Sequence, residues 1–386
     1  MPQRFTILLL PIIIVLAGLY SSLYVELIPP VWQALLELSP LILASLVIML
    51  AWHFNKGRIL LVVILFILPL TELTTLGSST QLSAFFVVIA LNSALLSQLP
   101  ERGFFNRFAV NRIAFLFMQL LWCYALLQGW IHIGNMNGYL VSTLSFSLPL
   151  ILMVIVLSCS VMFLLIKCWQ KSDFFNACIL ASLLVLAVLN SVVLNDKQQH
   201  ILFSSIFLLW SIYLLIDSHN MAYIDDLTQL PGRRALNERL VSLSKRYAIA
   251  MLDVDHFKNF NDTHGHDIGD IVLKRVAKNV SKVIHGGRGF RYGGEEFAIV
   301  FSNRSAEDIQ EALELVRQSI ENEVVTLMRT NKKAKDKEVS VTISIGAAFS
   351  KSDRSAAEVI KMADDHLYKA KKSGRNKVTM EEKNRP

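Results

Sequence analysis

Charge is scarce in the first 216 residues, which hold only nine of the 38 basic and six of the 31 acidic residues of the chain. That shortage excludes an ordinary soluble fold for this half, which runs from Thr6 to Ile216 as one apolar stretch after another. Cysteine is rare as well. Cys123, Cys159, Cys168 and Cys178 all lie in the apolar half, at spacings that fit no metal or redox motif, and read as small packing residues. No small-x-small cleavage site follows the first apolar run, which is also longer than a signal-peptide core, so it reads as an uncleaved first crossing. No internal repeat is found. Beyond Asp217 the charge is a mild +4 of the total +7, far from the basic stripe that would make nucleic acid a partner, and suited to an anionic ligand or the inner membrane surface.

What the first half does contain is eight apolar segments, near 6–27, 33–53, 59–78, 81–99, 113–134, 139–166, 174–195 and 200–216. Each is long enough for a crossing, which takes about 20 residues. With the N-terminus in the cytoplasm, the inside stretches carry Arg4, Lys56, Arg58, Arg102, Arg107, Arg112, Lys167 and Lys171, against Lys197 alone outside. This is the bias expected of inside loops, and an even number of crossings returns the C-terminal half to the cytoplasm. The expectation is an all-α polytopic membrane domain over 1–216, in contact with the lipid bilayer. Its short outside loops leave no room for a folded external domain, so any cue enters between helices or from the bilayer.

A connector over 217–224 leads to a domain over 225–386, where apolar residues turn periodic. A helix is predicted from Arg233, then a strand through "YAIAMLDVD" and a helix through "HDIGDIVLKRVAKNVSKVI". "GFRYGGEEFAIVF" reads as two strands about a Gly-Gly turn, and "SAEDIQEALELVRQSIENEVVTLM" as a long helix. "VSVTISIGAAF" alternates as a half-buried strand, and a last helix opens with Ser355 and Glu358 in capping-box spacing and closes at Gly374. The class is α/β with one internal antiparallel hairpin.

Asp253 ends an apolar strand, a costly place for a carboxylate unless a cation meets it. Asp255 reads equally as a helix N-cap or turn residue and as part of a site. Glu295 and Glu296, taken alone, fit an exposed hairpin tip. In an ideal strand they point to opposite faces, so at most one shares a side with a given partner unless the turn twists them. On a strand neighbouring that of Asp253, with the Val254 carbonyl between, such carboxylates make an oxygen cage for a hard cation such as Mg²⁺. Arg233 and Arg234 after the "LPG" turn, and Lys371 and Arg375 around Gly374, would suit phosphate, although exposed arginines and a helix C-terminus carry such residues without any ligand.

Five blocks, "DDLTQLPGRRAL", "MLDVDHFKNFNDTHGHDIGD", "RYGGEEFAIV", "VSVTISIGAA" and "ADDHLYKAKKSGRN", stand in the order and near the spacing of the GGDEF family of diguanylate cyclases, which residues 222–380 resemble. The resemblance implies a fold similar to the nucleotidyl-cyclase and polymerase palm, with a central, mainly antiparallel sheet, making cyclic di-GMP from two GTP. It implies that Asp253, the Val254 carbonyl, Glu295 and Glu296 hold Mg²⁺, or Mn²⁺ as a substitute. Glu296 is the first choice for assisting proton removal, with Glu295 beside it. Asn261 and Asp270 would read the guanine edge, with His266 lining that pocket. Lys371 and Arg375 would face the β- and γ-phosphates, with Lys258 nearby, and Gly293 and Gly294 would let the nucleotide approach. It further implies a homodimer as catalytic unit and a bacterial inner-membrane location, with the N-terminus and the cyclase domain cytoplasmic. The chain departs from the family pattern at Ile284 and Gly287, where many relatives carry the Arg and Asp of a product-inhibition site, so no such site is expected. It also has Gln229 and Gly232 where glycine and asparagine are usual. Two other function classes fit the sequence less well. A silent GTP or partner receptor is disfavoured by the intact motif residues, and a transporter by the position of Glu26, Glu37 and Glu72 near segment ends.

Overall fold

The structure, a computed structural model, describes residues 2–72, 79–101, 103–104, 107–127, 148–170, 173–243, 246–327 and 337–381. Arg102, Lys171 and the side chains of Glu72 and Cys123 lie outside the described set, as do parts of the fifth and sixth predicted crossings. Two compact units are present, Met1–Ser218 and His219–Pro386.

Among the described residues the first unit holds eight α-helices: α1 (Pro2–Leu23), α2 (Pro30–His53), α3 (Gly57–Glu72), α4 (Ser79–Leu96), α5 (Arg107–Leu127), α6 (Leu148–Gln170), α7 (Phe174–Ser191) and α8 (Asp196–Tyr223). They follow the eight apolar segments, and among the described residues α2, α7 and α8 are long and apolar enough to cross a membrane, with mean hydropathies of 2.2, 2.0 and 1.9. The core of the unit gathers Phe66, Phe175, Phe203, Phe207 and Trp210, all fully buried. Large apolar side chains also cover the outside: Leu9, Ile12, Ile13, Leu16 and Tyr20 line one exposed face of α1, the reverse of a water-soluble helix. The predicted connector is helical, since α8 continues through it to Tyr223.

In the second unit, α9 (Arg233–Val241) is followed by β1 (Tyr247–Val254), α10 (Phe257–His264), α11 (His266–Val280), β2 (Arg288–Gly293), β3 (Glu296–Ser302) and α12 (Ala306–Glu321). Then come β4 (Val325–Leu327), β5 (Lys337–Val339), β6 (Ile343–Phe349), α13 (Ala356–Lys372) and β7 (Val378–Met380). The main sheet has the order β2-β3-β1-β6-β7. Its first four strands are antiparallel and β7 joins β6 in parallel. Alternate residues of each strand enter two cores. Ala248, Ala250, Leu252, Phe297, Ile299 and Ile345 meet α11 and α12 on one face. Ile249, Met251, Phe290, Ala298 and Val300 meet α9 and α13 on the other.

Four local expectations change. The long predicted helix stops at Glu321, and Val325–Leu327 instead pairs with β5 as a two-stranded ribbon. The alternating strand is broken, with β5 and β6 in different sheets, and β6 is buried on both faces: Ser344 is fully covered because helices lie above and below it. The hairpin turn is Gly294–Glu295 rather than Gly293–Gly294, since Gly293 still pairs with Glu296 and only Gly294 has positive φ, at 39°. Helix α10, unassigned from sequence, is only eight residues long and is held by Phe257 stacking on Phe260 at 6.4 Å. Ser355 and Glu358 form the predicted capping box, and Gly374 follows the C-cap Ser373 with φ 109°.

Candidate active site

The site forms where β1 leaves the sheet. Asp253 pairs in register with Glu296 of β3. Directly opposed antiparallel residues point to the same face, here the α13 side. Asp253 is 7% exposed, and Lys371, in the last turn of α13, reaches it at 2.9 Å. The Val254 N–H donates to the carbonyl of Glu295 at 3.4 Å, which ties the hairpin turn to the same strand end. Burial raises the pKa of Asp253, against the lowering effect of Lys371, and Asp255 and Asp364 push it up further. Burial and the charge of Asp253 raise Glu295. Glu296 is raised by burial first, then by Asp253 and Asp364. Negative charge is therefore concentrated beyond what one lysine offsets.

That excess fits a divalent cation. Among the described residues no group of three His, Cys, Asp or Glu side chains is poised to hold a metal alone. Mg²⁺ does not need such a cage, because it binds through one or two carboxylates and takes further oxygens from substrate phosphates and water. The oxygens that this strand end offers, on Asp253, Glu295, Glu296 and the Val254 carbonyl, are of the hard kind such an ion prefers.

The remaining predicted residues surround this point to differing degrees. Gly293 and Gly294 are exposed, and a Cβ added to either meets nothing within 4 Å. Asn261, on α10, has a buried Oδ1 with no hydrogen-bond partner. It lies against Gly269 of α11, where an added Cβ would come within 1.9 Å of that oxygen. His266 and Asp270, both on α11, and Lys258 on α10 are exposed and form no bond to the carboxylates. Arg375 is half-buried in a left-handed turn with φ 63°. Lys371 pairs with Asp253 on the carboxylate side. Arg233 stacks over Tyr292 at 4.6 Å, which gives it a partner within the hairpin.

Sequence reasoning left Asp255 open and missed Asp225 and Arg291. Asp255 is no surface cap: it is 7% exposed and accepts hydrogen bonds from Thr342 Oγ1 and Ser344 Oγ at 2.7 Å each. Asp225 and Arg291 pair at 2.6 Å, and Arg291 also donates to the Gly294 carbonyl at 2.8 Å. Burial alone would raise Asp225, but hydrogen bonds from Thr228 and Arg291 outweigh it and hold the carboxyl below its usual range. Gln229, where the family favours glycine, adopts φ 59° in this same loop. The signal for the pair was the proximity of Arg291 to the glycines. Because the Asp225 pKa is depressed, its stabilising contribution is present above the ordinary carboxylate pKa and lost as pH falls through the lowered value. Arg291→Met should therefore loosen the Gly294 turn, lower turnover by about tenfold and remove that acid-labile increment. Activity and thermal melts between pH 3 and 7 check both effects.

A sheet with helices on both faces and an acidic hairpin at the end of its central strand defines an α/β domain with a polar site at the strand ends. Residues 222–377 match the family model described as diguanylate cyclase, GGDEF domain. The chain thus carries a GGDEF diguanylate cyclase domain. It is similar to diguanylate cyclase A of Treponema denticola, 41% identical over 141 residues, covering 36% of this chain and 36% of that protein. It is also similar to the diguanylate cyclase VdcA of Vibrio cholerae, 35% identical over 161 residues, covering 41% and 46%. Among solved structures, the GGDEF domain of DgcB from Caulobacter crescentus in complex with c-di-GMP is 35% identical, with 41% of this chain and 95% of that one covered and a TM-score of 0.38. The chain spans less than half the length of these two curated relatives.

Proposed function

We propose that the chain is a membrane-bound diguanylate cyclase that condenses two GTP into cyclic di-GMP and two pyrophosphates with Mg²⁺, or Mn²⁺ in its place. The observation that carries the reading is the register pair of Asp253 and Glu296, two carboxylates on one sheet face beside Lys371. Asp253, the Val254 carbonyl, Glu295 and Glu296 would hold the metal, which when bound neutralises charge at phosphorus and eases ionisation of the attacking ribose 3′-hydroxyl.

The chain's own groups do the rest. Glu296, whose pKa is pushed up by burial and nearby carboxylates, is suited to take the hydroxyl proton, because a base works best near the operating pH. Lys371 and Arg375 bring positive charge to the leaving pyrophosphate, with Lys258 at the margin. The unpartnered Asn261 Oδ1 and the Asp270 carboxylate accept hydrogen bonds from the guanine N–H edge, with His266 lining that pocket. At Gly293 and Gly294 any side chain would stand where the nucleotide approaches. One domain binds one GTP, so each hydroxyl attacks the nucleotide held by a second copy, and a two-fold homodimer is the catalytic unit.

The membrane reading is supported by polar pairing within the first unit. Lys56 pairs with Asp217 and Arg58 with Glu101, which joins the α2–α3 turn, the stretch after α4 and the end of α8. Asn195 and Lys197 bond Glu26 and Gln33, which joins the α1–α2 turn to the α7–α8 turn. That division suits helices alternating across a cytoplasmic membrane, with the N-terminus and the cyclase domain inside.

The purified full-length protein in detergent, given GTP and Mg²⁺, should form cyclic di-GMP, while EDTA or Glu296→Ala stops it. A wild type that stays inactive when concentrated enough to dimerise would overturn the reading. Added product should inhibit only weakly. Ile284 is 40% exposed, and a Cβ at Gly287 would meet the Phe301 ring at 2.7 Å, so neither position offers the charged side chain that such feedback uses. Initial rates across a product titration check this.

A further inference from the structure

After α13 the chain makes a turn in which Gly374, Arg375 and Asn376 all have positive φ, at 109°, 63° and 47°. Non-glycine residues persist in that conformation only where their surroundings over-determine it. The restraints converge on Asn376. Its N–H donates to Asp255 Oδ2 at 3.1 Å. Its Oδ1 accepts from Arg317 Nη1 at 2.7 Å, and its Nδ2 donates to Glu321 Oε1 at 2.7 Å.

Both anchors are buried and secured from elsewhere. Arg317 of α12 is 9% exposed, donates from Nε and Nη2 to Glu314, and shares Nη1 between Glu321 and Asn376. Asp255 is held by Thr342 and Ser344 of the β6 segment, and stands two residues beyond Asp253. The network therefore runs from α12 through the turn to the strand end that carries the acidic site. Arg375 lies inside the tethered turn, and Lys371 one helical turn before it.

We propose that Asn376 is a positioning residue, anchored by Arg317 and Asp255, which holds the turn that carries Arg375 beside the strand end that bears the acidic site. It acts through Arg375 and Lys371 and touches no substrate itself. The inference rests on the cyclase reading, in which those two side chains meet the β- and γ-phosphates. Loosening the tether should thus weaken recognition of the distal phosphates and leave the nucleoside end unaffected.

The test uses the full-length protein in detergent and isothermal titration with GTP and with GMP. Asn376→Gly keeps the left-handed backbone accessible and leaves Arg317 its two glutamates, so the fold is retained. It should weaken GTP binding about tenfold, as displaced charge-assisted contacts do, with GMP affinity unchanged. Arg317→Met should do the same, and the double variant should bind GTP no worse than the weaker single, since both break one network. Arg275→Met, which breaks the Arg275–Glu323 pair beyond the end of α12, should leave GTP affinity as in wild type. GTP affinity within twofold of wild type in Asn376→Gly overturns the proposal, as does equal weakening of GTP and GMP. A wild type that binds GTP but makes no cyclic dinucleotide overturns the cyclase reading while leaving this comparison intact. One that binds no GTP overturns both.

Discussion

Asp253→Asn should lower the rate of cyclic di-GMP formation by at least about a hundredfold while leaving the folded domain no less stable at pH 8. The two halves of this result have one cause. Asp253 is nearly buried, and its desolvation outweighs the help it receives from Lys371, so its pKa lies above the ordinary carboxylate value. A carboxyl that holds its proton more tightly when folded makes stability fall as pH rises from the ordinary value through the raised one. Above that window the ionised group is a net cost to the fold, and an amide of the same shape removes the cost. What the amide cannot do is supply an anionic oxygen to Mg²⁺. Wild type should therefore gain thermal stability when Mg²⁺ and GTP are added together, because a ligand that binds only the folded state raises the melting temperature, and the variant should gain much less. Melts with and without both ligands, run beside the activity assay, check the prediction. A variant that melts far below wild type without ligand would show that Asp253 is structural, its role being to hold Lys371.

The acidic site was legible because its two halves lie on strands that read clearly. An apolar run ending in Asp253 and a hairpin carrying Glu295 and Glu296 leave few ways to build a sheet, and the register pairs Asp253 with Glu296. What stayed hidden depends on contacts between distant segments. Asp255 resembled a cap, since its partner Asn376 is 121 residues away and no spacing rule reaches that far. Lys371 had an ordinary explanation as a cation at a helix C-terminus, and only the packing of α13 on the α9 face of the sheet puts it beside Asp253. Helix α10 is too short for periodicity to declare it and is stable only through tertiary packing. The β6 segment misled in the opposite direction. Its strict alternation suggested a wet face, yet Ser344 points into a dry layer and hydrogen-bonds Asp255 there. In the apolar half the runs foretold where the described helices lie.

Gly346→Ala should be the most damaging single methyl group in the cyclase domain. Gly346 sits in the middle of β6, paired with Met251 on one side and Thr379 on the other, and α13 crosses it closely. A Cβ there would lie 2.0 Å from the Leu367 N, 2.3 Å from the Ala363 carbonyl oxygen and 2.6 Å from the His366 carbonyl carbon. All three are backbone atoms, so no rotamer change relieves the contact, and either β6 or α13 must move as a body. Overpacking of this kind costs about 3 kcal/mol or more, a large part of the stability of an ordinary domain. The functional loss should exceed the stability loss. Helix α13 carries Lys371 in its last turn and leads directly into Arg375, so a shift of the helix displaces both cations from the carboxylates even in molecules that remain folded. At 10 °C, where most of the variant should still be folded, activity per folded molecule should be down at least about tenfold, and thermal melts should show a lowered midpoint. Gly293→Ala is the contrasting substitution: it meets no atom within 4 Å, so its melting temperature should stay near wild type while its activity falls. If Gly346→Ala melts like wild type, the close approach of α13 to β6 is wrong, and with it the account of how Lys371 reaches Asp253.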